Sequence, residues 1–205
     1  MKNFVLKLIT SLLIVTCFSS YSSGIGSVKK LLELGSCPQC TLNGADLKRA
    51  YLKWADLSGA DLSHANLSGA NLAEARLVNA NLKNAIMVST NLNEANLSGV
   101  NLMGADLRNS SLKSSYLVRA DLSGANLSGV NFSGADMRNV NLKWADLNGT
   151  KFSEADLTSA IVNKENLKVA VLCKTKTPWG EDNSGCKTFR GNDLKKFIAL
   201  GHCRK

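Results

Sequence analysis

The sequence predicts an all-β solenoid, and three observations in residues 41–172 support this. One apolar residue recurs at every fifth position from Leu42 to Leu172, and 22 of these 27 positions are Leu. A small residue, usually Ala, stands two positions before each of them, with Asp or Asn usually between. Gly often stands two positions after the Leu, as in the string 57–60, Leu-Ser-Gly-Ala. An unbroken fixed period of this kind indicates a repeat architecture.

The period of five does not fit an amphipathic helix or a half-buried strand, whose apolar residues recur by three and four or by two. It fits a coil with short straight sides and sharp corners, in which five residues supply one side and one corner. Gly then falls at the third turn position, where a type II turn requires a positive φ. Other repeats carry Asn or Arg there, so we expect the turn type to vary.

The motif Ala-(Asp/Asn)-Leu-x-x of residues 41–172 resembles that of the pentapeptide-repeat proteins. The resemblance implies a right-handed, four-sided β-helix with four repeats per coil and with the Leu and Ala columns facing inward. The 27 repeats then make nearly seven coils, about 32 Å long at the ~4.8 Å spacing of strands. Phe132 and Phe152 should stack because they are one coil apart, and Thr90, Ser110 and Thr150 replace Ala beside them as a packing adjustment. The structural core is expected to include Leu57, Leu97, Leu127, Phe132 and Phe152.

Residues 1–23 are predicted to be a secretory signal peptide. Lys2 and Lys7 precede an apolar run over 8–18, and small residues follow it. The run is much shorter than the ~20 residues that span a bilayer. We therefore expect an exported protein, periplasmic or extracellular, with no integral membrane segment after cleavage. A lipoprotein anchored through Cys17 is the less favoured alternative, because Thr is a poor residue before the lipidated Cys.

Residues 24–40 are predicted to form an N-terminal helical cap over the first coil. A short helix over 27–35 should begin at Ser27 as N-cap and stop at Gly35. The string Cys-Pro-Gln-Cys follows, with Cys37 in the Leu column and Cys40 in the Ala column, so it should form the first corner. The ends of a turn lie within ~7 Å, which favours a structural disulfide or a buried thiol pair over a redox-active Cys-x-x-Cys.

Residues 173–205 are predicted to be a basic tail. This segment has 8 Lys and Arg against 3 Asp and Glu, whereas residues 41–172 have 13 against 12. Cys173 and Cys186 bound a turn-rich loop that is similar to the tails of some exported members of the family, and a disulfide between them would hold the tail. A short helix over 192–200 should cover the C-terminal end of the coil. Cys203 is left odd, so it could be free, pair with another Cys, or link a dimer.

The sequence offers no catalytic or metal site. His64 and His202 lie far apart in the chain, and no string resembles a nucleophile elbow or a phosphate loop. The two cysteine pairs would sit at opposite ends of the rod, whereas a zinc ion needs sulfur ligands at ~2.3 Å. We therefore expect no enzyme, no metal and no cofactor.

The leading hypothesis is a non-enzymatic structural or protein-binding module of the bacterial envelope, whose partner is an unidentified protein or envelope component. Exposed aromatic residues are its candidate contacts: Tyr51, Trp54, Tyr116 and Trp144. One alternative, raised by the resemblance, is a DNA mimic that binds type II topoisomerases. The near-neutral coil and the signal sequence argue against it, and we expect no nucleic-acid partner. A second alternative is a thiol-disulfide protein that uses Cys37 and Cys40. A dimer could form through an end cap or through Cys203.

Overall fold

Parallel coils stacked on one another make up most of the computed structural model, which describes residues 24–186. Each bridge joins a residue to the one twenty positions later in parallel, from Ser36 with Asp56 to Asp156 with Lys176. Four pentapeptides therefore complete one coil, and the fold is a solenoid as predicted. The signal sequence, the helix expected over 192–200 and Cys203 lie outside the described residues.

Each pentapeptide makes the same set of backbone hydrogen bonds. The amides of Leu57 and Gly59 donate to the next coil, at Arg76 O and Val78 O, both at 2.8 Å, and Ala60 N closes the turn onto Leu57 O at 3.0 Å. A turn every five residues leaves too few extended residues for regular strands, so the sides of the coil are isolated bridges. The regular strands of residues 24–186 are β1, Thr175–Thr177, and β2, Gly180–Asp182, which pair antiparallel at the C-terminal end.

The Leu and Ala columns fill the interior of the coil. Leu57, Leu97, Leu127, Phe132 and Phe152, the residues expected in the core, are all fully buried. The rings of Phe132 and Phe152 stack with their centroids 5.5 Å apart and an interplanar angle of 5°. Burial stabilises the fold by about 1.5–3 kcal/mol for each large apolar side chain.

The expectation that the turn type varies with the residue is wrong. Every third turn position from Gln39 to Ser159 has a positive φ, whether it holds Gly, as at Gly59 (65°), or a bulky residue, as at Trp54 (62°). The reason is that the amide of this residue donates to the next coil: Gly59 N does so to Val78 O, and Trp54 N to Ala73 O. The stacking of the coils therefore imposes the left-handed conformation on residues that would otherwise avoid it.

The Asp or Asn before each Leu braces the turn that follows. Asp56 Oδ1 accepts hydrogen bonds from Ser58 N at 3.1 Å and from Ser58 Oγ at 2.7 Å, which is the Asx-turn habit of this residue type. The same column also links coils, since Asn81 Nδ2 donates to Asp61 Oδ1 at 2.9 Å and Asn141 Nδ2 to Asp121 Oδ1 at 3.1 Å.

Helix α1 spans Gly24–Leu34, so the prediction that Ser27 is its N-cap is wrong: the helix begins three residues earlier. No apolar pattern marks the added turn, which is why the sequence did not indicate it. Leu31 is fully buried and belongs to the same apolar cluster as Cys37. Gly35 ends the helix as predicted, with φ 65° and its amide bonded to Leu31 O at 2.8 Å.

Helix α2, Lys164–Leu167, interrupts the last coil, where the sequence predicts an unbroken repeat. Asn163 is its N-cap and accepts a hydrogen bond from Glu165 N at 2.9 Å. Leu167 stays buried in the inward column, so the helical turn preserves the five-residue pattern that concealed it. Neither helix in residues 24–186 is long and apolar enough to cross a membrane.

Candidate partner-contact surface

Two of the four predicted contact residues share one side of the first coil. Tyr51 precedes the buried Leu52 and Trp54 stands at the corner that follows it, and both aromatic side chains are mostly exposed. Tyr116 and Trp144 are also exposed, but they belong to other sides of the coil. Tyr116 lies in the bridged row of Asp56 and Asn96, whereas Tyr51 lies in that of Asn71. The structure therefore places Tyr51 and Trp54 on one surface and leaves Tyr116 and Trp144 apart from it.

The Trp54 side chain is held by two charged neighbours. Lys53 Nζ lies 4.2 Å from the centroid of the indole ring, within the range of a cation–π interaction. The same ammonium pairs with Glu74 Oε1 at 3.2 Å. Hydrogen bonds from Trp54 and then from Lys53 lower the pKa of Glu74, so the carboxylate stays charged at neutral pH. We call Tyr51, Lys53, Trp54 and Glu74 the Trp54 cluster.

Glu74 is the member of this cluster that sequence reasoning missed. Trp54 and Glu74 occupy the same corner in successive coils, because they are twenty residues apart. The signal was therefore present in the coil period, although the pentapeptide motif alone does not show it. Trp144 lacks this arrangement. It is 82% exposed, and Lys143 Nζ lies 6.0 Å from its ring centroid.

Trp179 is a further exposed aromatic residue, outside the predicted contact set. It lies in the turn between β1 and β2, where its amide donates to Thr177 Oγ1 at 3.2 Å. Lys164 Nζ approaches its ring to 5.9 Å of the centroid. This places it at the C-terminal end of the solenoid, away from the Trp54 cluster in the first coil.

Both predicted disulfides are present. Cys37 and Cys40 are bonded across the first corner with their Cα atoms 5.4 Å apart, and Cys173 and Cys186 are bonded with a Cα separation of 4.6 Å. Cys37 is fully buried, and Pro38 and Gln39 form an exposed turn rather than the start of a helix. A disulfide half buried in a core favours a structural role over thiol exchange.

The repeat motif decides the family. The model of the family described as pentapeptide repeats matches 8 copies of the motif, over residues 37–73, 75–113 and 115–153. The chain belongs to the pentapeptide-repeat family. Members of this family are in general structural or binding modules rather than enzymes. No cluster of three metal-ligating side chains occurs in the described part of this pentapeptide-repeat protein.

Solved pentapeptide-repeat structures resemble the chain. Rfr23 from the cyanobacterium Cyanothece 51142 is 28% identical, with a TM-score of 0.43, and the match covers 68% of this chain and 99% of Rfr23. HetL from Nostoc sp. strain PCC 7120, involved in heterocyst differentiation regulation, is 28% identical with a TM-score of 0.35, covering 66% of this chain and 68% of HetL. A trypsin-treated variant of QnrB1, a plasmid-mediated fluoroquinolone resistance protein, is 19% identical with a TM-score of 0.38, covering 83% and 96%. No curated protein matches the chain.

Proposed function

We propose that this pentapeptide-repeat protein is an exported, non-enzymatic binding module of the bacterial envelope, which contacts a protein partner through the Trp54 cluster. The observation that carries the proposal is the fixed, exposed indole of Trp54. It is 61% exposed, yet Lys53 and Glu74 hold it in one orientation. Large aromatic residues are the commonest anchors of protein interfaces.

The scaffold supports this use of Trp54. Binding is weakened when flexible side chains must be ordered at the interface. Here the backbone of Trp54 is fixed by the bond from its amide to Ala73 O at 3.1 Å, and its ring is fixed by Lys53. Tyr51 adds a second exposed aromatic surface on the same side of the coil. Little conformational freedom is therefore left to lose on binding.

Export is supported by the disulfides as well as by the signal sequence. Disulfides persist in oxidising compartments such as the periplasm and the cell surface, and both pairs in this protein are closed. We further propose that α1 acts as a cap for the N-terminal end of nearly seven right-handed coils. Its buried Leu31 packs in the core cluster with Cys37, and a covered end cannot associate with another sheet edge.

Site-specific photo-cross-linking in intact cells tests the binding surface. A benzoylphenylalanine at Tyr51 is expected to give one discrete adduct with a partner protein. Trp54→Ala in the same chain should reduce that adduct at least tenfold, because a central interface aromatic contributes ~2 kcal/mol or more. Trp144→Ala is the matched control. It removes the same side chain from another corner of equal backbone geometry, with φ 58° against 62° for Trp54, and should leave the adduct unchanged.

Two outcomes would overturn the proposal. One is an adduct from Tyr51 that Trp54→Ala does not weaken. The other is the absence of any adduct from Tyr51 while the exported protein accumulates normally.

A further inference from the structure

The C-terminal end of the solenoid core contains a cavity of about 340 Å³. Leu167, Leu172 and Thr177 line it, and these residues hold the inward positions of three sides of the last coil. The cavity is thus the end of the apolar core itself. Its rim consists of Lys164, Lys168, Trp179, Gly180, Glu181, Asp182 and Ser184.

The described residues close this end only in part. Strand β2 pairs with β1 and covers one side of the last coil. Gly185 covers a second side, since its amide donates to Leu172 O at 2.5 Å and a Cβ at this position would lie 2.6 Å from Leu172 N. Around them, Ile161, Val169 and Trp179 remain about half exposed. An open solenoid end with exposed apolar side chains requires a cover in a soluble protein.

The chain itself continues from the edge of this cavity. Ser184 lines it, and Cys186 is bonded to Cys173, the residue after Leu172. Residues 187–191 follow, and five residues can span up to ~18 Å. Beyond them, Leu194, Phe197 and Ile198 recur at the three- and four-residue spacing of one helix face. Lys195 and Lys196 lie between these apolar residues and are opposite in charge to Glu181 and Asp182 on the rim.

We propose that residues 192–200 bind this cavity of their own chain, with Leu194, Phe197 and Ile198 against Leu167, Leu172 and Trp179. The tail then completes the apolar core, and the rim carboxylates pair with its lysines. A short tether gives such a segment an effective concentration in the millimolar range, which favours it over a second copy of the chain. The end of the solenoid is thereby kept from end-to-end association.

Fluorescence quenching of Trp179 tests this cover in the full chain. Trp54→Phe with Trp144→Phe leaves Trp179 as the single indole. Phe197→Asp should raise its quenching constant for acrylamide at least twofold, because the ring loses its apolar cover. Ala199→Asp is the matched control: it makes the same change in charge on the opposite side of a helix and should leave quenching unchanged. Equal quenching constants in the two variants would overturn the proposal.

A cross-linking experiment identifies the occupant. A benzoylphenylalanine at Lys168, on the rim, is expected to link to residues 192–200. In an equal mixture of ordinary and ¹⁵N-labelled full chains, every linked peptide pair should carry one isotope composition, which shows a bond within one molecule. Pairs of mixed composition would assign the cavity to a second copy and overturn the proposal. The absence of a link to 192–200 would overturn it as well.

Discussion

Single hydroxyl groups distinguish one corner of the coil from the other three. Thr90 Oγ1 donates to Leu67 O at 2.9 Å, Ser110 Oγ to Met87 O at 2.5 Å, and Thr150 Oγ1 to Leu127 O at 2.9 Å. Each donor replaces the usual Ala, and each carbonyl belongs to the preceding coil. These side chains are therefore more than a packing adjustment around the Phe pair, because they tie successive coils together inside the core. A buried hydroxyl without such a partner would destabilise the fold.

Thr150→Val should lower the free energy of unfolding by about 1 kcal/mol. The change keeps the shape of the side chain and removes one buried hydrogen bond, while Leu127 O still accepts from Val130 N at 3.0 Å. Val130→Thr, in the same column one coil before, is the control. Its new hydroxyl can reach the equivalent carbonyl of Leu107, so its cost should be smaller. Urea unfolding at constant m-value measures both, and a larger cost for Val130→Thr would contradict the assignment.

The Asp106–Arg108 pair should make stability depend on acid. Hydrogen bonds from Arg108 lower the pKa of Asp106 below its ordinary value of 3.8, with Arg108 Nη2 2.6 Å from Asp106 Oδ2. The contribution is therefore present above pH 3.8 and is lost as the pH falls through the lowered pKa. Because Arg108 is half exposed, it amounts to less than about 1 kcal/mol.

Asp106→Asn should accordingly flatten the fall in melting temperature between pH 5 and the acid limit, as followed by circular dichroism. Asp136→Asn should give the same result, since Asp136 pairs with Arg138 in the same geometry, at 2.7 Å, and its pKa is lowered for the same reason. A pH profile identical to that of the parent chain in both variants would contradict this account.

At the scale of the element, the turn is set by its neighbours more than by its own residue. The third turn position has a positive φ at Gly124 (65°) and equally at Arg119 (60°). In both, the amide donates to the next coil, at Lys143 O and Arg138 O. Gly lowers the strain of this conformation, whereas other residues adopt it at a cost of roughly 1 kcal/mol. The coil can therefore vary its corners freely, which is how a bulky residue such as Trp54 comes to be displayed there.

Gly124→Ala should lower the free energy of unfolding by roughly 1 kcal/mol, since a Cβ at this position meets no atom within 4 Å and only the backbone strain counts. Gly26→Ala is the matched control. It also meets no atom within 4 Å, but it lies in α1 without a positive φ. There the same change should stabilise the protein by about 0.5–1 kcal/mol. Thermal unfolding compares the pair, and shifts of the same sign would contradict the assigned conformations.

For the whole molecule, the sequence predicted what the period controls and missed what depends on neighbouring coils. The inward columns, the first corner at Cys37 and Cys40, and the stacked Phe132 and Phe152 all follow from steps of five and twenty. The uniform turn geometry did not, because it arises from bonds between coils that no single pentapeptide reveals. Helix α2 was hidden because Leu167 keeps its column.

The Trp54 cluster was predicted only by half, since Glu74 reaches Trp54 from the next coil.

Leu97→Lys should unfold the solenoid cooperatively, whereas Ser98→Lys should leave its melting temperature nearly unchanged. Leu97 is fully buried in a middle coil, and a charge there has no partner, which costs several kcal/mol. Ser98 is half-buried and its loss removes only the bond from its Oγ to Asn96 Oδ1 at 2.8 Å. Since each coil contacts only its neighbours, the damage from Leu97→Lys should spread outward from the middle. Hydrogen exchange should therefore show lost protection first around residues 77–117 and last near α1, and equal protection throughout, with equal melting temperatures for the two variants, would contradict the inward assignment of the Leu column.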